Sequence, residues 1–200
     1  MAIATESPTG VVALQWPLSD EQFIQLCRLN PEMRFEYTSS GDLLIMTSTG
    51  GWTGNRNIRI ATRLQLWAET DGSGLAFDSS TLFLLPNGAR RMPDASWLRL
   101  DRWNRLPREQ QDGIPPLCPD FVLELRSPSD RLPDLQDKMA EYIANGARLG
   151  WLIDPIEQVV VVYRPDAAVE RLEAPAELSG EPVLPGFVLA LTAFWPSSSL

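Results

Sequence analysis

Three segments of the chain space their apolar residues at the interval of an amphipathic helix. The first begins at Ser19, which forms a capping-box pattern with Gln22. The other two cover residues 53–70 and 134–147, and each carries a continuous apolar stripe. Gly146 is well placed to end the last of them. We therefore predict three helices.

Alternation of apolar and polar residues predicts strands between these helices. Residues 34–47 form two short strands around a turn, and residues 74–100 form two more around the sequence PNG. Further strands are predicted at residues 149–155, 158–165 and 184–191. The order of these elements predicts a mixed α/β or α+β domain around one sheet.

The strand predicted within residues 119–130 combines an apolar face with a charged one. Its apolar residues alternate with Asp120, Val122, Glu124 and Arg126. Charged groups are costly to bury unless they are paired, hydrogen-bonded or bound to a metal. Glu124 therefore requires a partner, which is either a metal ion or a cation such as Arg126.

The net charge of −9 argues against a broad nucleic-acid surface, because phosphate binding relies on Lys and Arg. It leaves room for a local basic groove, and one stretch of the chain offers a candidate. Eight arginines fall within residues 56–105: Arg56, Arg59, Arg63, Arg90, Arg91, Arg99, Arg102 and Arg105. The alternative interpretation is a scattered, solvated surface.

The chain contains no histidine, which excludes Ser-His and Cys-His nucleophile pairs and His-ligated zinc sites. Neither Cys27 nor Cys118 belongs to a CxxC motif. Two thiols without an export-signal pattern predict a reduced, cytoplasmic protein, and no apolar run is long enough for a membrane span. Any chemistry therefore falls to carboxylates, Lys, Tyr or a hard metal ion.

Three acids lie on or beside predicted strands and are candidates for that chemistry. Asp94 comes just before a strand, Glu124 lies inside one, and Glu36 belongs to the first hairpin. Two carboxylates from neighbouring strands suffice for Mg²⁺, which completes its shell with water and substrate phosphate. The alternatives are a strand-entry role for Asp94 after its proline and a solvent-facing position for Glu36.

Lys138 is the candidate cation. On a helical wheel it falls beside Tyr142, at the border of the apolar stripe, where a long side chain can reach over the sheet. There its ammonium could orient or deprotonate a water molecule, or stabilise charge on phosphorus. The alternative is a surface ion pair with Asp134 or Glu141, which lie at helical spacing from it.

Three segments resemble the bacterial family of putative restriction endonucleases within the PD-(D/E)xK nuclease superfamily. They are PDASW, CPDFVLELRSPSDRLPDLQDKMAEYIANGARLGWLIDP and GEPVLPGFVLAL. The resemblance covers residues 18–195 and implies a single restriction-endonuclease-like domain with a central mixed sheet flanked by helices. We expect residues 1–17 to form an N-terminal β-hairpin extension and residues 196–200 to form a tail.

The resemblance also implies roles for the candidate residues. Asp94 and Glu124 match the metal-binding acids of the motif, with Mg²⁺ or Mn²⁺ as the cofactor. The superfamily's lysine normally stands two residues after the second acid, where this chain has Arg126, so Lys138 on the following helix corresponds to it. Glu36 matches an early acidic position that supports the metal, and Arg126 remains a supporting candidate.

Three hypotheses for the function follow. The first is a metal-dependent endonuclease acting on DNA, with a homodimer expected by analogy with nucleases that cut both strands. The second is a catalytically inactive nuclease fold that binds nucleic acid. The third is an interaction scaffold that uses no metal. Because Arg126 is always protonated it cannot act as a base, so the first hypothesis depends on Lys138.

Overall fold

The computed structural model describes residues 4–5, 11–46 and 48–195. The predicted tail at residues 196–200, Thr47 at the end of the first hairpin, and part of the predicted extension over residues 1–17 lie outside these ranges.

The three predicted helices are confirmed. Their bounds are α1 Asp20–Leu29, α2 Gly51–Asp71 and α5 Leu132–Ala144, and two short helices, α3 Leu100–Trp103 and α4 Arg108–Asp112, lie between α2 and α5. The Ser19 hydroxyl accepts a hydrogen bond from the Gln22 amide, and the Gln22 side chain accepts one from the Ser19 amide, so the capping box begins α1. No described helix is both long and apolar enough to cross a membrane.

A six-stranded antiparallel sheet is built from the first part of the chain. Its strands lie in the order β1-β2-β4-β3-β7-β6. Their bounds are β1 Ala4–Thr5, β2 Val11–Gln15, β3 Arg34–Tyr37, β4 Asp42–Met46, β6 Phe83–Leu84 and β7 Arg90–Arg91. The predicted hairpin is the β3–β4 pair. The predicted extension contains β2, which pairs with β4 and is therefore a strand of this sheet.

A second six-stranded sheet, in the order β12-β11-β10-β9-β8-β5, is mixed. Its strands are β5 Gly74–Asp78, β8 Ala95–Arg99, β9 Phe121–Leu125, β10 Leu149–Asp154, β11 Val159–Tyr163 and β12 Glu170–Glu173. β9 and β10 are parallel because α5 connects them as a crossover, and the other pairs are antiparallel. β13 Glu177–Ser179 and β14 Val188–Ala190 form a small antiparallel pair.

The prediction of one sheet was wrong, and Pro93 explains part of the division into two. β7 belongs to the first sheet and β8 to the second, and only residues 92–94 separate them. Proline has no amide hydrogen for a ladder bond, so the strand cannot continue through Pro93. The two sheets diverge at this point of the chain.

Strand β9 is buried on both faces, and all five of its residues belong to the interior of the protein. Phe121, Leu123 and Leu125 belong to a core that includes the apolar stripe of α2. Val122 belongs to a second core with residues of α5. The alternating residues of β9 therefore face two different cores, and neither face of the strand is exposed to solvent. Glu124 projects into an enclosed region.

Candidate active site

Four elements bring Glu36, Asp94, Glu124 and Lys138 to one cavity of about 310 Å³. Glu36 comes from β3, Glu124 from β9 and Lys138 from α5, while Asp94 immediately precedes β8. Glu36, Glu124 and Lys138 are buried, with exposed fractions of 1%, 4% and 8% respectively. The cavity lies where the two large sheets diverge.

The register of the second sheet explains why Asp94 and Glu124 are neighbours. β8 and β9 are antiparallel, with Ala95 opposite Leu123, so the preceding Asp94 comes opposite Glu124. The Asp94 Oδ2 accepts a hydrogen bond of 2.8 Å from the Leu125 amide, and its Oδ1 accepts one of 3.0 Å from the side chain of Asn57 on α2. Enclosure in the site raises the pKa of Asp94.

Lys138 contacts two of the acids at once. Its Nζ lies 2.8 Å from Glu36 Oε1 and 2.9 Å from Glu124 Oε1. The alternative of a surface ion pair was wrong, because Asp134 pairs with Arg131 and Glu141 pairs with Arg91. Lys138 therefore reaches over the sheet from the border of the apolar stripe.

The charges around Lys138 keep it protonated. Burial alone lowers the pKa of its ammonium, but Glu124 and Glu36 outweigh that effect and raise the pKa above its ordinary value. At neutral pH the side chain is thus a cation and a hydrogen-bond donor. It can stabilise developing negative charge, whereas it is poorly suited to accept a proton.

Glu36 is held by several donors. Its Oε2 lies 3.2 Å from Arg91 Nη1, and its Oε1 accepts a 2.8 Å hydrogen bond from the Met92 amide. Burial alone would raise the pKa of Glu36, but Lys138 and Arg91 together lower it. Glu36 is therefore an anion that balances Lys138. The alternative of a solvent-facing Glu36 was wrong.

Glu124 has a strongly perturbed carboxyl group. The Tyr142 hydroxyl donates a 3.0 Å hydrogen bond to its Oε1, the atom that also contacts Lys138. Burial, reinforced by the charges of Asp94 and Glu36, raises the pKa of Glu124 to about 8 despite the opposing effect of Lys138. A positive charge placed beside Asp94 and Glu124 would lower that pKa again.

Arg126 does not belong to this cluster. Its Nη1 lies 2.7 Å from Asp154 Oδ2, at the end of β10. The Arg126 amide already bonds the Ile153 carbonyl, so the backbone carries this side chain toward β10. The alternative that Arg126 is the ion-pair partner of Glu124 was wrong, because Lys138 occupies that place.

Asp94 and Glu124 fit a hard divalent cation by number and by chemistry. Among the described residues no group of three His, Cys, Asp or Glu could hold a metal ion, and Glu36 is engaged by Arg91, Lys138 and the Met92 amide. Mg²⁺ and Mn²⁺ prefer oxygen ligands, and Mg²⁺ is commonly held by one or two carboxylates with water and substrate phosphate. The two carboxylates meet that requirement.

Three contributors to the site escape detection in the sequence. Arg91 and Asn57 hold acids from elements with no motif of their own, and the Met92 amide acts through the backbone. Tyr142 left one signal, since it follows Lys138 by one helical turn on the apolar stripe. Contacts between residues that are far apart in the sequence leave no local sequence pattern.

A larger cavity of about 530 Å³ adjoins the first and shares Asp94, Arg34 and Ser79 with it. It extends along α2 past Asn57 and Ile58. The two cavities adjoin through these shared residues, and we call them together the acidic cleft, bounded by the first sheet and by α2.

The second sheet is mixed and contains one parallel β9–α5–β10 unit, and acids lie where the two large sheets diverge. These features define a restriction-endonuclease-like fold. Residues 20–192 match the Uma2 family, described as "Putative restriction endonuclease", and the chain belongs to that family. It is similar to the crystal structure of a "putative nuclease belonging to DUF820" from Anabaena variabilis ATCC 29413. The two share 23% identity with a TM-score of 0.75 over 90% of this chain and 98% of that one. No curated protein matches the chain.

Proposed function

We propose that this protein is a metal-dependent endonuclease that hydrolyses DNA phosphodiester bonds. One observation carries the proposal: two neighbouring carboxylates and a buried ammonium converge in one cleft, with Lys138 Nζ 2.9 Å from Glu124 Oε1. Membership of a family of nucleases supports the reaction class. The metal and the DNA substrate are inferences from the chemistry of the cleft.

Asp94 and Glu124 would hold Mg²⁺ or Mn²⁺. Such an ion polarises the phosphoryl group and lowers the pKa of bound water. The Leu125 amide and Asn57 orient Asp94, and Tyr142 orients Glu124. These hydrogen bonds preorganise the carboxylates before any ligand binds.

Lys138 serves as the electrostatic catalyst in this proposal. Its raised pKa keeps it charged, so it can donate hydrogen bonds to phosphate oxygens as negative charge develops on them. Glu36 balances the ammonium and holds it beside Glu124 through its own 2.8 Å contact. Arg91 and the Met92 amide fix Glu36 in turn.

A calorimetric Mn²⁺ titration followed by a cleavage assay tests the proposal. We expect saturable binding by the native protein, no binding by Asp94→Asn or Glu124→Gln, and undiminished binding by the exposed control Glu173→Gln. Lys138→Ala should retain the metal and lose cleavage of plasmid DNA. Absence of metal binding by the native protein would reject the proposal.

A second candidate is a nucleic-acid-binding module without activity. The favouring observation is that the positive charge of Lys138 is already balanced by Glu36 and Glu124. These ion pairs form a network that can exist without a metal. This candidate predicts DNA binding with no cleavage under any divalent metal. Equal DNA affinity for the native protein and Glu124→Gln, with no product from either, would favour it.

We also infer a homodimer and a reducing compartment for the protein. Cutting both strands of a duplex needs two such sites, which supports a homodimer, and sedimentation of the native protein with and without DNA tests it. Cys27 and Cys118 are both free, which supports a reducing compartment such as the cytoplasm.

A further inference from the structure

The eight arginines at residues 56–105 divide into two groups. Five pair with carboxylates: Arg90, Arg91, Arg99, Arg102 and Arg105. The three on α2 form no ion pair with any described residue. Their guanidinium groups donate instead to neutral oxygens: Arg56 to the Phe194 carbonyl, Arg59 to the Asn55 side chain and Arg63 to the Ala190 carbonyl. The charge of this second group is therefore unpaired within the part of the chain that the structure describes.

These three arginines lie in one line with Trp52. Spacings of four, three and four residues place Trp52, Arg56, Arg59 and Arg63 within a narrow sector of α2, given 3.6 residues per turn. We call these four residues the α2 stripe. Trp52 is 74% exposed, and the Arg56 guanidinium lies 6.0 Å from the centre of its ring. The stripe joins an open aromatic surface to three positive charges.

The stripe begins at the rim of the acidic cleft and then leaves it. Gly50 and Thr53, on either side of Trp52 in the sequence, line the cavity that holds Asp94 and Glu124. Asn57 and Ile58 line the cleft along the opposite flank of α2. The stripe and the cleft therefore lie on different sides of the helix and meet only at its N-terminal turn.

We propose that the α2 stripe binds a single-stranded flank of the nucleic-acid substrate as that strand leaves the acidic cleft. The partner rests on the proposed nuclease function. Arginines attract phosphates, and an exposed Trp stacks on unpaired bases of any sequence. A strand that follows the stripe must turn around the end of α2. A single strand makes that turn easily, whereas a stiff duplex does not.

The test compares two labelled DNA probes without divalent metal: a blunt duplex of about 20 base pairs, and the same duplex with an extension of about 10 nucleotides. The native protein should bind the extended probe more tightly. Arg56→Gln/Arg59→Gln/Arg63→Gln should lose that preference. Its log–log salt dependence for the extended probe should also become shallower by about 2, or roughly 0.7 for each lost phosphate contact.

A matched triple variant controls for net charge. Arg105→Gln/Arg108→Gln/Arg171→Gln removes three arginines whose side chains are more than half exposed and paired with acids, with exposed fractions of 79%, 83% and 55%. It should keep the preference for the extended probe. Trp52→Ala should weaken binding of the extended probe about tenfold or more, while Trp52→Phe and the control Trp16→Ala should not.

Each opposing result overturns the inference. Equal native affinity for both probes, equal loss in the two triple variants, or no effect of Trp52→Ala would each reject it. These outcomes are separable from those of the proposed function. If the protein prefers the extended probe but cuts no DNA, the proposed role of the α2 stripe stands and the proposed nuclease function is rejected. If the protein cuts DNA and binds both probes equally, only the proposed role of the α2 stripe is rejected.

Discussion

Lys138 Nζ lies 2.9 Å from Glu124 Oε1, and the same Glu124 oxygen accepts a hydrogen bond from Tyr142. The pair is not balanced by itself. Glu36 and Asp94 add negative charge to the cavity, and Arg91 and Lys138 are the cations nearest to them. The excess of carboxylates makes the site receptive to a further positive charge, and it makes ionised Glu124 costly until that charge arrives.

Glu124→Gln should stabilise the metal-free protein at alkaline pH. The pKa of Glu124 is about 8 in the folded state against 4.5 as the ordinary value, so the folded state binds the extra proton. The stabilising effect of that proton is complete below pH 4.5 and is lost as pH rises through 8. Gln cannot ionise. We expect no difference at pH 4.5 and a gain on the order of 2 kcal/mol, about 4–8 °C in Tm, at pH 9.

Thermal unfolding in chelator at the two pH values measures this difference. A variant that is less stable than the native protein at pH 9 would contradict the prediction. It would mean that the Lys138 ion pair outweighs the desolvation of Glu124.

Metal binding should release a proton from the protein below pH 8. Glu124 is largely protonated there, and a divalent cation binds the ionised form. The apparent Mn²⁺ affinity should rise by up to about tenfold for each pH unit between pH 6 and the pKa of Glu124. Calorimetric heats at one pH in buffers of different ionisation enthalpy count the released protons. Identical heats in all buffers would exclude this coupling.

Local sequence patterns predicted the helices and the β3–β4 hairpin because their determinants are local. They include the Ser19 capping box, the apolar residues on the buried face of α2, and Gly146, whose φ of 107° suits glycine at the end of α5. Such patterns could not predict the division into two large sheets, because the first sheet depends on pairing of β3 with β7, a contact between distant segments. The side chains of Asp94, Glu124 and Lys138 meet in the predicted cluster, with roles that remain predictions. The partners Arg91 and Asn57 depend on tertiary packing that no spacing encodes.

Lys138→Met should destabilise the fold as well as slow cleavage. It leaves Glu36 and Glu124 without their shared cation in a buried site, a change that typically costs about 3–5 kcal/mol. Cleavage should fall by about 10²–10³ through the loss of electrostatic stabilisation. Denaturant unfolding and initial rates on plasmid DNA measure the two effects.

A second substitution separates these contributions. At pH 9, where Glu124 is ionised, Lys138→Met/Glu124→Gln removes one of the two stranded charges, so it should recover part of the lost stability and none of the activity. Recovery of cleavage in the double variant would show that Lys138 has no direct part in the reaction.

Asn57→Ala should weaken metal binding without unfolding the protein. Asn57 donates a 3.0 Å hydrogen bond to Asp94 Oδ1, and its own Oδ1 is buried without a partner among the described residues. Loss of a group that orients a metal ligand commonly lowers affinity about 10–100-fold. Asn55→Ala on the exposed side of the same helix is the control. Equal Mn²⁺ affinity in the two variants would show that Asn57 does not support metal binding.

Arg126→Gln should change stability and leave the chemistry intact. Arg126 follows β9 directly, which made it a candidate for the site, but its guanidinium contacts Asp154, whose side chain is only 3% exposed. The substitution leaves that carboxylate without its cation, so we expect a loss of about 1–3 kcal/mol, reduced from that of a fully buried pair because Arg126 is partly exposed. Cleavage measured well below the Tm should stay within about twofold of the native rate, since no described contact joins Arg126 to Asp94, Glu124 or Lys138. A loss comparable to that of Lys138→Met would place Arg126 back among the catalytic groups.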